Sequence, residues 1–387
     1  MSSTPPGATQ PYRPPVPQHP VVPWRVRLAR WVAVAAVVVL LGLAGLLTVL
    51  AVSTATGPQG LVVGLVLAVL PVVPVVAVFL WLDRYEAEPP ELLVVAFGWG
   101  AAVATLVALV LNTASMEVIA AAGGDPTWAA VLVAPFVEEG AKGLGVLAVW
   151  LLRRREFDGV VDGIVYAGLV GIGFAFIENV LYLGTAFVEG GASGAATVFV
   201  VRAVFSPFAH PLFTMAVGVG VGLATRRGGA WWLAVPLGWL VAVMLHGLWN
   251  LAAISSLSGF VVGYVLVQVP LFGAAILLAV LARRREGRLV ARHLGVYAAT
   301  GWLTPGEVRM LASLPERAAA RSWAHRTLGD DARAAMRDFQ ELATELAFLR
   351  ERVAHGTAPA DAAETERRIL HTLWHTRTRF LPQRVTR

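Results

Sequence analysis

The composition of this chain of 387 residues is typical of a protein embedded in lipid. Hydrophobic residues make up 57% of it and charged residues 14%, with a mean hydropathy of +0.68. In soluble domains, by contrast, about 45–50% of residues are apolar and about 25% are charged. The formal net charge of +6 comes from arginines beside apolar runs, which favours anionic lipid over nucleic acid as a partner. The absence of cysteine excludes disulfides, thiol nucleophiles and cysteine-ligated metals.

Eight apolar runs dominate the chain, and each has the roughly 20 residues that a membrane-spanning helix needs. They are 28–52, 59–82, 92–121, 129–151, 160–184, 198–224, 230–254 and 260–282. Before them, the proline-rich residues 1–23 predict a disordered tail. After them, Thr304-Pro305-Gly306-Glu307 predicts a helix-capping box, and two further helices are expected at 331–354 and 360–378.

The positions of the arginines predict the orientation in the membrane. Arginines lie before the first run and after the second, fourth, sixth and eighth, whereas the loops at 53–58, 122–128, 185–197 and 255–259 have no arginine or lysine. By the positive-inside rule, both termini are cytoplasmic. We therefore predict an all-α, polytopic protein of the cell membrane with about eight transmembrane helices. Its predicted parts are the tail 1–23, a transmembrane domain 24–285 and a small cytoplasmic helical region 286–387.

Polar groups lie at membrane depth in four consecutive runs. They are Glu138, Glu139 and Lys142 in the fourth run, Glu178 and Asn179 in the fifth, His210 in the sixth, and His246 and Asn250 in the seventh. At about 1.5 Å per residue from the predicted outer ends, they form one layer in the outer half of the membrane. A charge near the bilayer centre costs about 2.5–3.5 kcal/mol by insertion scales, so this layer is a functional-site hypothesis.

Spacing within the motifs predicts which side chains share a helix face. Glu138 and Lys142, the only lysine of the chain, are four residues apart, as are His246 and Asn250. Glu139 points about 100° away from Glu138, so we expect a different role for it. Taken singly, each pair also fits a structural contact that braces the bundle. The joint occurrence of three glutamates and two histidines at one depth favours a functional site.

Carboxylates and imidazoles at one depth are suited to peptide hydrolysis. They can take a proton from water and return it to an amine leaving group, while imidazole or asparagine donors can stabilise the oxyanion. Two histidines and a glutamate with a bound water also form a catalytic zinc set. Candidate ligands are Glu178, His210 and His246.

Signatures of other intramembrane proteases are missing or misplaced. No His-Glu-x-x-His motif occurs, and we interpret Gly191-Ala-Ser193-Gly194 as a chance match in a glycine-rich loop. Asp158 and Asp162 lie at the cytoplasmic mouth of the fifth run, too far from the polar layer to form an aspartyl dyad with it.

The ordered motifs resemble the PrsW family of polytopic membrane proteases. The family pattern of Glu-Glu-x-x-Lys, Phe-x-x-x-Glu-Asn, a mid-span histidine and His-x-x-Trp-Asn corresponds to Glu138–Lys142, Phe174–Asn179, His210 and His246–Asn250. The acidic segment Leu82–Pro89 is similar to a loop of that family. The resemblance covers about 75–285 and implies cleavage of membrane-anchored proteins, such as an anti-sigma factor, on the extracytoplasmic side.

PrsW proteins are in turn similar to the CAAX prenyl endopeptidases, glutamate-type proteases. That resemblance implies that Glu138 activates the water and that His246 and Asn250 support the oxyanion. Where those enzymes have Phe-x-x-x-His, this chain has Glu178, so Glu178 or His210 would be the second partner of the water or a metal. We assign supporting roles to Glu139, Lys142 and Asn179. No cofactor is favoured, although zinc is possible. The alternatives are a proton- or cation-coupled transporter that uses the same layer and a non-catalytic scaffold.

Overall fold

The computed structural model describes residues 24–85, 87–154, 157, 159–225 and 230–380. Within these residues the chain is helical, without strands, in agreement with the predicted all-α class. The α-helices are α1 Trp24–Leu82, α2 Pro90–Gly98, α3 Thr105–Ala121, α4 Ala134–Leu152, α5 Val160–Phe199, α6 Ala209–Ala224, α7 Trp231–Ile254, α8 Leu257–Gly263, α9 Val269–Ala299, α10 Pro305–Leu311, α11 Leu314–Leu328, α12 Asp330–His355 and α13 Ala362–Thr378. The predicted tail 1–23 and Asp158 lie outside the described residues.

Five helical stretches among the described residues are long and apolar enough to cross a membrane. They are Arg27–Leu82, Pro90–Ala121, Val160–Ala224, Trp231–Ile254 and Leu257–Ala299. Four of them, with 56, 32, 65 and 43 residues, are clearly longer than the roughly 20 residues of a single crossing. Helix α4, which has three charged side chains, is not among the five. The protein is therefore a multi-pass membrane protein, while eight crossings stay a prediction.

The predicted outer loops are shorter than the sequence suggested. The loop at 53–58 is helical except at Gly57, where φ is 64° and ψ 173°. Gly57 can adopt this left-handed conformation, and Pro58 then occupies the first position of the next helical segment. The loop predicted at 185–197 is likewise helical on both sides of Gly191, whose φ is 63°. Apart from these two glycines, the residues of both predicted loops continue the flanking helices.

Contacts divide the described chain after Leu40, and all packing considered below concerns residues from Leu41 onwards. Helix α5 forms the centre of that unit and is buried without interruption from Val161 to Ala175. Its glycines allow close backbone approach, as is common between membrane helices. A Cβ at Gly163 would lie 2.0 Å from the carbonyl oxygen of Gly218, and one at Gly171 would lie 2.8 Å from Pro211 Cα. The second contact holds α6 against α5 beside His210.

Helices α10 to α13 pack around their own hydrophobic core together with the end of α9. The predicted capping box is confirmed, because Thr304 Oγ1 accepts from the Glu307 amide and Glu307 Oε2 accepts from the Thr304 amide. Helices predicted near 331–354 and 360–378 correspond to α12 and α13, whereas α11 was not predicted. Tyr85 joins this core and donates a hydrogen bond of 2.8 Å to the Ala312 carbonyl. The segment after α1 therefore anchors the C-terminal helices.

Candidate active site

Helix α4 places three ionisable side chains together inside the helical bundle. Glu138 is 5% exposed, and Glu139 and Lys142 are fully buried. The Lys142 ammonium lies 2.8 Å from Glu139 Oε1, 3.4 Å from Glu138 Oε2 and 3.8 Å from the centroid of the Phe174 ring. One ammonium thus stabilises two buried carboxylates and also makes a cation–π contact. This arrangement explains why the only lysine of the chain lies at this depth.

The two neighbouring carboxylates have different surroundings. Glu139 is enclosed by protein: its Oε2 accepts from Thr214 Oγ1 at 2.9 Å, and its Oε1 lies 3.0 Å from His246 Nδ1. Glu138 Oε1 accepts from Asn112 Nδ2 at 3.1 Å, and its side chain lines a cavity. The two side chains point in different directions, as predicted. Glu139 is therefore enclosed by protein, whereas Glu138 can contact a molecule bound in the cavity.

The cavity at Glu138 has a volume of about 480 Å³. Its polar lining consists of Thr105, Asn112, Thr113, Glu138, Glu178, Tyr182, Arg202, His210 and Asn250. Met116 and Ile254, near the helix ends predicted to be extracytoplasmic, also line it. The volume falls within the about 300–1,000 Å³ of small-molecule and cofactor sites. The cavity therefore connects Glu138 with the side from which the substrate is predicted to enter.

His210 lies between Lys142 and Glu178. Its Nδ1 is 3.1 Å from the Lys142 ammonium and its Nε2 is 2.6 Å from Glu178 Oε2. An ammonium only donates hydrogen bonds, so Nδ1 is the acceptor and Nε2 carries the proton that it donates to Glu178. We infer this tautomer from the two partners. Glu178 is held in turn by Arg202, which also donates to Asn179 Oδ1 at 2.6 Å.

His246 has the opposite tautomer. Its Nδ1 lies 3.0 Å from Glu139 Oε1 and its Nε2 lies 3.8 Å from Glu138 Oε2. A carboxylate accepts hydrogen bonds, so Nδ1 carries the proton and Nε2 has the free lone pair in the neutral ring. The ring also stacks on Phe213, with centroids 5.2 Å apart. Nε2 can therefore accept a proton or bind a cation, and it donates to an oxyanion only when the ring is protonated.

Asn250 lines the cavity but makes no recorded hydrogen bond with His246, although the two share a helix face. Its Nδ2 donates at 2.8 Å to the carbonyl of Ala130, in the π-helical segment Ala129–Val133. This carbonyl lies five residues before Pro135, which has no amide hydrogen to donate. The carbonyl is thus satisfied by protein, as a free carbonyl inside lipid requires. The second N–H of the Asn250 amide is left for a ligand.

Three partners in the site were not predicted from the sequence. They are Asn112, which donates to Glu138; Thr214, which donates to Glu139; and Arg202, which pairs with Glu178 and lies over the Tyr182 ring. Arg202 belongs to the π-helical segment Val200–Phe205 at the start of the sixth apolar run. The start of this run is predicted to be extracytoplasmic, so an arginine there departs from the positive-inside rule. This departure is the sequence signal that could have identified Arg202 as a site residue.

A second group of polar side chains lies at the other end of α5. Tyr166 donates to Glu88 Oε2 at 2.5 Å, and the Glu88 amide donates to Asp83 Oδ2 at 3.0 Å. Burial raises the pKa of the Asp83 carboxyl to about 7 by desolvation. Tyr166 and Glu178 are about 18 Å apart along the helix at about 1.5 Å per residue. The acidic segment after α1 is therefore separate from the cavity at Glu138.

Comparison with known proteins identifies the family. The sequence profile described as PrsW family intramembrane metalloprotease matches residues 88–285. The chain belongs to the PrsW family. It is 30% identical over 174 residues to Protease PrsW of Clostridioides difficile (strain 630), covering 43% of this chain and 69% of that protein. It is 32% identical over 176 residues to Protease PrsW of Geobacillus kaustophilus (strain HTA426), with the same coverage of 43% and 69%.

A third relative, Protease PrsW of Bacillus subtilis (strain 168), is 29% identical over 168 residues, which are 43% of this chain and 71% of that protein. No solved structure matches the chain. Apart from Val52, the residues that line the cavity at Glu138 lie within the PrsW region 88–285, while α10 to α13 lie outside it. The family relation therefore supports a membrane-embedded peptidase and does not extend to the C-terminal helices.

The description of the PrsW family as metalloproteases raises the question of whether these residues fit a metal. Single ligand atoms of Glu138, His210 and His246 lie within 4.8 Å of one another, and they supply the one-carboxylate, two-imidazole donor set of catalytic zinc. His246 already donates from Nδ1 to a carboxylate, as zinc-binding histidines do. The donor types therefore fit zinc.

The Lys142 ammonium competes with a metal for this donor set. It contacts the Nδ1 lone pair of His210 and lies 3.4 Å from Glu138 Oε2. Ligands at about 2.0–2.2 Å from a tetrahedral zinc lie roughly 3.4 Å apart, so the side chains would also have to close around the ion. Glu178, predicted as a ligand, is instead held by Arg202 and His210.

Proposed function

We propose that this PrsW-family protein is an intramembrane endopeptidase that hydrolyses membrane-anchored proteins with a water activated by Glu138. The observation that carries the proposal is the pairing of one enclosed carboxylate, Glu139, with one that reaches the cavity, Glu138. Asn112 and Lys142 fix the orientation of the Glu138 carboxylate, and catalysis by a positioned base depends on such fixed geometry.

The reaction requires two proton transfers. The Glu138 carboxylate takes a proton from water as the water oxygen attacks the peptide carbonyl carbon, and a tetrahedral oxyanion forms. When the carbon–nitrogen bond breaks, the protonated Glu138 returns the proton to the leaving amine. The products are a carboxylic acid and an amine, and the enzyme is restored. General acid–base catalysis of this kind contributes about 10²–10⁴ in rate.

The other residues orient the reacting groups. Asn250 lines the cavity, and we assign its second N–H as the oxyanion donor, assisted by His246 when its ring is protonated. Glu178 and Arg202 hold His210 in one tautomer beside Lys142, and Lys142 in turn holds Glu138. In this proposal Glu139 and Asn179 support the site without touching substrate.

If zinc is present, we propose Glu138, His210 and His246 as its ligands, and the ion would lower the pKa of a bound water to about 7. We favour the metal-free form, because Lys142 already supplies a positive charge to Glu138 and His210.

Chelation tests this preference. We expect peptidase turnover to survive dialysis of the purified protein against a strong chelator, since the proposed base and its partners are all side chains. Loss of turnover that is restored by added zinc, with stoichiometric zinc in the active protein, would replace the glutamate-only mechanism with the metal-dependent one.

The proposal includes eight crossings, both termini in the cytoplasm and cleavage near the extracytoplasmic face. The cavity runs from Glu138 towards the helix ends near Met116 and Ile254, so in this orientation it would open to the extracytoplasmic side. The resemblance to PrsW proteases suggests an anti-sigma-factor-like substrate.

Reporter fusions test the topology. By the positive-inside rule, we expect fusions at Gly124 and Gly191 to be extracytoplasmic and fusions at Gly228 and Gly329 to be cytoplasmic. A reversed reporter at Gly124 would place the mouth of the cavity on the cytoplasmic side and contradict the proposed site of cleavage.

A single reconstitution experiment separates the protease from the transporter and the scaffold. The full chain is placed in proteoliposomes with membrane-anchored proteins, and both fragments and proton flux are measured. Fragments of defined size without flux support the endopeptidase. Flux without fragments identifies a transporter, and silence in both assays identifies a scaffold.

A further inference from the structure

A second cavity, of about 530 Å³, lies where the transmembrane domain meets the C-terminal helices. Its walls come from the ends of α4 and α6, the start of α5, the middle of α9 and the last turns of α12. By the predicted topology, these ends of α4 and α6 face the cytoplasm. The cavity is separate from the site at Glu138, because none of its lining residues lines that site.

One end of this cavity is apolar. It is lined by Val219 and Leu223 of α6 and by Leu278 and Leu281 of α9. Leu223, Leu278 and Leu281 are exposed by 45%, 36% and 48%, so this end is not closed by protein. Both helices belong to membrane-crossing stretches. An acyl chain in the cavity could therefore continue into the surrounding lipid.

The other end is basic. Arg154, Arg285 and Arg288 line it from the transmembrane side, and Arg352 and His355 line it from α12. Among the described residues, no acidic side chain lies within ion-pairing distance of Arg154, Arg285 or Arg288. Three arginines from two different elements therefore face one cavity, and none of them forms an ion pair with a described carboxylate.

The acidic residues of the cavity have partners of their own. Asp162 accepts from the Gly159 amide at 2.8 Å, as the cap of α5. Glu351 lies 2.6 Å from His293 Nε2 and 3.7 Å from His355 Nδ1. Glu286 also has an interaction partner. Among the described residues that line the cavity, four arginines thus face three carboxylates, which leaves one net positive charge before His355 is counted.

We propose that this cavity binds an anionic phospholipid of the cytoplasmic leaflet, with the headgroup at the arginines and the acyl chains leaving past Leu278. Basic pockets between helices on the cytoplasmic side favour such headgroups, and the volume lies within the about 300–1,000 Å³ of ligand sites. Residues of α12 contribute to the wall, so the bound lipid ties the C-terminal helices to the transmembrane domain. This role is independent of the peptidase reaction.

Native mass spectrometry of the full chain, purified in detergent and mixed with phosphatidylglycerol or phosphatidylcholine, tests the proposal. We expect phosphatidylglycerol to be retained and phosphatidylcholine to be lost. Each arginine near the headgroup is worth about fivefold in affinity, so Arg285→Gln/Arg288→Gln should weaken retention about 25-fold. The matched control is Arg284→Gln/Arg292→Gln, which removes two exposed charges of the same helix that do not line the cavity.

Three outcomes would overturn the proposal: equal retention of the two lipids, an equal loss in the control variant, or no loss in Arg285→Gln/Arg288→Gln. A competition with inorganic phosphate distinguishes a lipid from a free anion. Phosphate that displaces phosphatidylglycerol completely would identify a simple anion site and contradict the role of the apolar end. An unchanged thermal midpoint of each variant, measured without added lipid, shows that altered retention comes from the cavity and not from unfolding.

Discussion

Glu138→Gln should lower the rate of substrate cleavage by about 10²–10⁴, the usual contribution of a positioned general base. The amide keeps the shape of the side chain, and its oxygen can still accept from Asn112 Nδ2. It cannot take a proton from water. Lys142 keeps its closer partner, Glu139, at 2.8 Å, so the variant should fold and insert normally. The measurement is the amount of fragment formed per enzyme from a membrane-anchored substrate that the unmodified protein cleaves.

Glu117→Gln is the matched control. Glu117 lies on α3, is exposed, and does not line the cavity. A solvated carboxylate at that position has no proton to transfer in the proposed reaction, so cleavage should change by less than about threefold. If Glu138→Gln is well expressed and cleaves at the normal rate, then Glu138 is not the base.

Lys142→Met should destabilise the folded protein by about 3–5 kcal/mol, because removing one partner of a buried ion pair leaves an uncompensated charge. The ammonium lies between Glu138 and Glu139 and also reaches His210 Nδ1 at 3.1 Å. Methionine fills similar space but donates no hydrogen bond, so two carboxylates would share the bundle interior without a cation. The measurement is the thermal midpoint of the detergent-purified protein, together with its yield.

Glu139→Gln/Lys142→Met removes one carboxylate together with the lysine and should recover part of the lost stability. The test is the double-mutant cycle, which measures the coupling between the two positions. A matched change on an exposed ion pair, Arg367→Met beside Glu364 at 2.7 Å, should leave the midpoint unchanged, since solvent screens that pair. An Lys142→Met variant as stable as the unmodified protein would show that the buried pair contributes nothing to folding.

The polar layer could be predicted from the sequence because hydrophobicity and helical period are local properties. Apolar runs of bilayer length located the helices. Glu138, His210 and His246 stood out because ionisable side chains are costly to place in lipid and are therefore rare there. The four-residue spacing of Glu138 and Lys142 placed both on one face of α4, and the structure confirms their contact. The breaks at Gly57 and Gly191 were harder to place, since small residues permit both helix and loop.

Which polar side chains pair with each other was decided only by the tertiary structure. Asn112 with Glu138, and Arg202 with Glu178, are contacts between different segments, and they depend on how each helix is rotated and how closely it packs. Many rotations of these helices satisfy the same hydrophobic pattern. Close packing at Gly171 selects one of them by bringing α6 and His210 against α5. The sequence by itself therefore determined where the helices lie and which kinds of side chain, carboxylates and imidazoles, form the site. Packing determined that Glu138 faces the cavity while Glu139 is enclosed, because the direction of a side chain follows from contacts that no local pattern contains.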